Sequence, residues 1–193
     1  MDKYDSINDR YCYLGTSVLK NKLNIQDENK LENAEQEITD LTINNVKYQA
    51  PPYNLRYLQS VHLALFSDLY DWAGHIRDVN ISKGGTTFCI FARIVPEIDK
   101  LFLQLTSDKW LIGLSKSELC KKLAEYYCEF NMIHPFREGN GRVQRVFFEH
   151  LALSTGYELE WSDVTSNEWI GANINGVNIN YEPMEAIFIR ILS

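Results

Sequence analysis

"KSELCKKLAEYYCEFNMIHPFREGNGRVQRVFFEHLALS", residues 116–154, decides how this chain folds. Its first half sets Leu119, Leu123, Tyr126, Tyr127, Phe130 and Ile133 at helical spacing, which predicts a helix over 116–133 with one apolar face. Pro135 lacks an N–H and stops that helix. A second helix opens at the glycine turn after Glu138 and runs to about Thr155, offering Val146, Phe147, His150 and Leu151 for burial. Two apolar helices joined by a short polar loop form the centre of a helical core, and the loop between them carries most of the chemistry.

The loop reads "HPFREGNGRVQR", residues 134–145. A helix N-terminus leaves backbone N–H groups unpaired, and with the helix dipole these make a site for anions. Gly139 and Gly141 let the chain approach a ligand without side-chain obstruction, and Asn140 between them can adopt a left-handed conformation or donate from its amide. Arg142 and Arg145 are three apart, on nearly the same helix face, and oppose the dipole unless an anion sits there. A polyphosphate suits this arrangement. Glu138 is placed to share a divalent metal with substrate phosphates, and His134 has an intrinsic pKa fit for a general base. Pro135 and Phe136 are structural. A histidine before Pro-Phe, a G-N-G turn or an Arg-x-x-Arg pair is ordinary alone, and the weight lies in their joint spacing.

Working outward, residues 1–24 read as an extended arm. The segment from Asp27 places Leu31, Ala34, Ile38 and Leu41 on one helical face. "APPYN" breaks that helix, and Asn54 precedes another with Leu55, Leu58, Val61, His62, Leu65 and Leu69 as its apolar stripe. Residues 76–91 alternate β-branched and polar residues around "KGG", the composition of a hairpin and the sole β element expected. Helices are also expected over 94–105, 161–173 and 182–192. The fold class is therefore all-α, one helical domain with one β-hairpin. Residues 1–50 form an arm and helix packed on a core made by residues 51–193.

The 193 residues, 45% hydrophobic, are enough for one buried core. A net charge of -7 argues against direct nucleic-acid binding and against an anionic membrane surface, so the loop arginines are a local feature. Cys12, Cys89, Cys120 and Cys128 form no C-x-x-C pair and are expected to be reduced. No apolar run reaches the ~20 residues that span a bilayer, and the N-terminus lacks a secretory core, so a cytoplasmic location is expected.

The loop closely resembles the Fic signature H-P-F-x-[D/E]-G-N-G-R-x-x-R at every defining position. "LYDWAGHIRDVNISKGG" resembles the segment entering that family's target-docking flap, and "AEYYCEFNMIHPF" the helix running into its active loop. Val143 stands where polar or small residues are common, a departure outside the chemistry. The resemblance, over roughly residues 50–192, implies a compact Fic-type helical domain that transfers AMP from ATP to a Tyr, Thr or Ser hydroxyl of a protein, releasing pyrophosphate. It implies that His134 deprotonates the hydroxyl and that Glu138 holds magnesium between the α- and β-phosphates. Gly139, Asn140 and Gly141 bind phosphates, and Arg142 and Arg145 engage the β- and γ-phosphates. The flap, Ile81, Ser82, Gly84, Gly85, Thr86, Thr87 and Phe88, aligns an extended target segment by strand addition, with Lys83 at its tip approaching the nucleotide.

A branch of the family that phosphorylates its targets carries lysine at the second loop glycine, and Gly141 favours the adenylylating orientation. The alternatives are transfer of GMP or UMP, and an inactive Fic-fold binding module. Fic proteins are commonly restrained by a helix bearing [S/T]-x-x-x-E-[G/N], whose glutamate pairs with the second arginine, here Arg145. Glu28-Asn29 follows Asn24, Glu32-Asn33 follows Glu28, and Glu138-Gly139 follows His134, so none fits, and no inhibitory helix is expected after the last predicted one. The expectation is a toxin restrained by a small separate antitoxin, with a type II topoisomerase subunit as a family-typical target.

Overall fold

The computed structural model describes residues 9–193; the part of the expected arm on residues 1–8 lies outside the described residues. In chain order the elements are α1 (Glu28–Thr42), α2 (Leu55–Phe66), β1 (Ser82–Lys83), β2 (Thr86–Thr87), α3 (Ile94–Ser107), α4 (Lys116–Ile133), α5 (Asn140–Ser154), α6 (Ser166–Val177) and α7 (Glu182–Ile191). The strands pair antiparallel, Ser82 with Thr87 and Lys83 with Thr86. The all-α expectation with one hairpin holds. No helix among the described residues is long and apolar enough to cross a membrane. All four cysteines are free thiols.

The chain divides into two compact units. The first takes the residues up to Tyr48, Leu55–Ile94 and His134–Val143. Asp27 caps α1 by accepting the Lys30 N–H at 2.9 Å, and α1 packs on α2 with the Thr42 hydroxyl donating to the Leu65 carbonyl at 3.0 Å. The α1 stripe expected from apolar spacing is only partly buried: Leu31 is inside, and Ala34 and Ile38 are half-buried. Leu41 is exposed, and the buried residues are Leu31, Glu35, Thr39 and Thr42. The buried face is polar in part, because Glu35 and Thr39 meet Arg142 of the active loop. On α2, Leu58, Val61, His62 and Leu65 are buried as the stripe predicts, and Leu69 is buried just beyond the helix end.

The second unit holds Gln49–Asn54, Val95–Ile133 and Gln144–Ser193. Here α4 has the bounds read from its period, and all six residues of its predicted face are buried. The rings of Phe102, Phe130 and Phe147 pack at centroid distances of 5.1–5.7 Å. The chain end is tied back where Glu158 and Ser193 exchange both backbone hydrogen bonds, at 2.9 and 3.0 Å.

Candidate active site

In the first unit the active loop follows α4 and turns at His134, whose φ of +47° is left-handed. His134 is buried, and its imidazole stacks on the ring of Phe88 at 3.9 Å with 21° between planes. Phe88 is delivered by the hairpin. Gly84 and Gly85 both have positive φ, 55° and 84°, as a tight two-residue turn between right-twisted strands requires. Ile81 and Phe88 are buried at its base, while Lys83 is half-buried beside the turn.

Asn140 clamps the loop. Its side-chain oxygen accepts the Phe136 N–H and its amide donates to the Phe136 carbonyl, each at 2.8 Å, so both ends of this amide are used within the loop. Gly139 has φ +78°, and a Cβ there would lie 2.3 Å from the Phe66 ring, so no larger residue fits. At Gly141 a Cβ would meet nothing within 4 Å, so space is open over the first turn of α5; the Val143 N–H of that turn already donates to the Gly139 carbonyl at 3.2 Å, and the N–H groups before it have no intrahelical acceptor.

His62 supports the loop from below. The Gly74 N–H donates to its Nδ1 at 2.8 Å, so the proton resides on Nε2, which donates to the Glu138 carbonyl at 3.0 Å. Its ring lies against Phe136 at 4.1 Å, and burial lowers its pKa to about 4. Arg137, at the variable position of the loop, is held by a buried ion pair with Asp9 at 2.5 Å.

Glu138 accepts the Gly139 N–H on one carboxylate oxygen at 2.9 Å, and its other oxygen has no hydrogen bond among the described residues. Burial, and secondarily the charge of Glu35, raise its pKa. Glu35 and Glu138 both line a pocket of about 60 Å³ with Tyr70, Leu31 and Arg137. Among the described residues no cluster of three or more His, Cys, Asp or Glu is placed to hold a metal. A magnesium ion here would take one carboxylate and draw its other ligands from phosphate and water, the usual arrangement for that ion. The single available carboxylate oxygen fits that mode.

Arg142 is ion-paired with Glu35 of α1, donates to the Thr39 hydroxyl at 2.9 Å, and lies over the Phe66 ring at 4.8 Å. The second carboxylate oxygen of Glu35 accepts the Tyr70 hydroxyl at 2.5 Å. Burial and the neighbouring Glu35 raise the Tyr70 pKa, keeping it a donor. Glu35, Thr39 and Tyr70 have no signal in the loop or in any spacing rule, and sequence reasoning missed them. The one clue is a glutamate and a threonine four residues apart on a helix otherwise read as apolar on one face.

Arg145 belongs to the second unit. Its guanidinium lies 5.7 Å from the Trp161 ring and 5.5 Å from the Trp169 ring, a cation beside two indoles that pack edge-to-face on each other at 5.3 Å. Trp161 is fixed in turn by donating to Glu149 at 2.6 Å, and burial raises the Glu149 pKa.

Residues 52–152 match the Fic/DOC family. This chain belongs to the Fic/DOC family. It is 38% identical over 192 residues to the "Probable protein adenylyltransferase Fic" of Escherichia coli K12, covering 100% of this chain and 96% of that protein. It is 34% identical over 195 residues to the "Probable protein adenylyltransferase y4lH" of Sinorhizobium fredii, covering both proteins fully. The crystal structure of BepC from Bartonella tribocorum, with bound AMPPNP, superposes with a TM-score of 0.87 at 31% identity, covering 95% of this chain and 96% of that one. In family and fold the chain stands with protein adenylyltransferases.

Proposed function

We propose that this Fic protein transfers AMP from ATP to a hydroxyl side chain of a protein target. His134 takes the hydroxyl proton, the oxygen bonds to the α-phosphorus, and the bond from that phosphorus to the bridging oxygen breaks, so that pyrophosphate leaves with the electron pair. Glu138 is the residue that would hold magnesium, which supplies neutralisation of the phosphate charge. The open first turn of α5 offers backbone donors to phosphate oxygens, with Arg142 and Arg145 assigned to the β- and γ-phosphates by family resemblance. The hairpin from Ile81 to Phe88, with Lys83, docks an extended target strand. Asn140 acts by holding the loop.

The observation that carries this reading is the unobstructed space at Gly141 in the same unit as His134 and Glu138. Incubation with α-labelled ATP, magnesium and bacterial lysate tests it. Wild type labels a protein band, GTP and UTP compete poorly, and His134→Ala labels nothing while its affinity for ATP stays within a few-fold, because a base acts in the chemical step. Label transfer by His134→Ala at the wild-type rate would overturn the assignment.

Within this reading the protein acts in the cytoplasm as a toxin held by a small antitoxin whose glutamate reaches Arg145, and a type II topoisomerase subunit is the family-typical target. The support is the absence of [S/T]-x-x-x-E-[G/N] from the sequence. Expression alone should arrest a bacterial host, and His134→Ala should relieve the arrest.

A further inference from the structure

Arg77 is among the largest side chains buried in the chain, 2% exposed, and no motif singles it out. Its Nε donates to the His134 carbonyl at 2.7 Å, Nη1 to the Val79 carbonyl at 2.7 Å, and Nη2 to the Cys89 carbonyl at 2.5 Å. Its own backbone N–H donates to the Pro135 carbonyl at 2.9 Å. One planar fork thus meets three stretches of main chain: the segment entering the hairpin, the segment leaving it, and the left-handed turn at His134. Burying a guanidinium is costly unless its donors are matched, and the rigid fork fixes the relative positions of what it binds in a way an ammonium on a flexible stem does not.

We infer that Arg77 is a positioning residue that sets the register of the hairpin on His134. Without it, the carbonyls of Val79, Cys89 and His134 lose their shared donor. The strained φ at His134 loses a restraint, and Phe88 is free to slide from the imidazole. Resting on the proposed activity, the consequence is that Arg77 fixes where a target hydroxyl on the hairpin meets the base, while touching none of the loop and α5 groups assigned to the phosphates.

The first test needs no target. The chain has four histidines, and the Phe88 ring current should shift the His134 Cε1–H resonance upfield in carbon-edited NMR of the whole protein. His134→Asn assigns the signal and Phe88→Leu gives its unshifted position. In Arg77→Lys, with the other three histidine signals unmoved, the His134 signal should move most of the way to the Phe88→Leu position. Retention of the wild-type position would overturn the inference. Should Arg77→Lys not fold, wild type decides: the Arg77 Nε–H should resist solvent exchange as core amides do, and fast exchange would overturn it. The second test uses α-labelled ATP and lysate. Arg77→Lys should bind ATP within about twofold of wild type while label transfer falls about 100-fold, the cost of roughly 1 Å of misplacement. An equal loss of ATP affinity would show a general structural role and overturn the positioning role. If wild type transfers no label, the proposed activity fails and the NMR result alone decides the inference.

Discussion

Arg142 and Arg145 are one turn apart on α5 and alike in sequence context, yet they are held by different physics. Arg142 is matched by a carboxylate, a hydroxyl and, through Glu35, a buried tyrosine. Arg145 is matched by two indole faces. An ion pair with satisfied neighbours is directional and strong but demands that every member be present, whereas aromatic faces hold a cation loosely and leave its N–H edges available for a ligand. The first arginine is built in. The second is presented.

The comparison breaks most visibly at Glu35. Glu35→Ala leaves the Arg142 guanidinium and the Tyr70 hydroxyl facing a void inside the first unit. Removing one member of a buried pair costs about 3–5 kcal/mol, and because the Arg142 side chain is 28% exposed while Glu35 is 6% exposed, the low end, about 3 kcal/mol, is expected. Urea unfolding measures it, and a loss under about 1 kcal/mol would place this pair with ordinary surface bridges.

Acid should weaken the Arg142 side by a comparable amount through His62. Its pKa is lowered from 6.5 to about 4 in the fold, chiefly by burial and further by the charge of Arg142. Between those values the unfolded chain binds more protons than the folded one, so stability is full above about pH 6.5 and falls as pH drops toward 4. The difference corresponds to roughly 3 kcal/mol at about 1.4 kcal/mol per pH unit. Carboxylates also titrate in this window, so the informative quantity is the slope that disappears in His62→Gln, whose amide can still donate toward the Glu138 carbonyl. Equal slopes in the two proteins would mean His62 is not held neutral.

What was legible in the sequence follows from which forces leave a period. Helix α4 buries an apolar stripe, so its bounds and its face could both be read from spacing. Helix α1 is equally regular, but its buried face carries Glu35 and Thr39 because it packs on Arg142, 107 residues from Glu35 along the chain. Apolar periodicity has no means of registering a polar contact so distant. The hairpin was expected across 76–91 and has only two residues in each strand. The Val79 and Cys89 carbonyls go to Arg77, and the Phe91 N–H goes to the Asn80 side chain at 2.9 Å, so side chains replace ladder bonds where longer strands would have formed. In the loop, residue types pointed to the proposed roles of His134 and Glu138, but the Asn140 amide, a candidate phosphate donor by composition, is occupied by Phe136.

The smallest effect is the one that separates the two arginines most cleanly. A double-mutant cycle on Arg145→Met and Trp169→Leu should give a coupling of about 0.5–1 kcal/mol, the range for a cation over an indole with part of its hydration retained. Trp169 is the better partner for this cycle because Trp161 also donates to Glu149, and its removal would release a half-buried carboxyl and confuse the sum. Methionine keeps most of the length and apolar stem of arginine, so packing on the ring survives while the charge is lost. The same cycle on Arg142→Met and Glu35→Gln should give at least twice that coupling, since a charged hydrogen bond is lost with it. Equal couplings would mean that two indoles hold Arg145 as firmly as a carboxylate holds Arg142. A coupling of zero at Arg145 would mean that the rings only pack beside it.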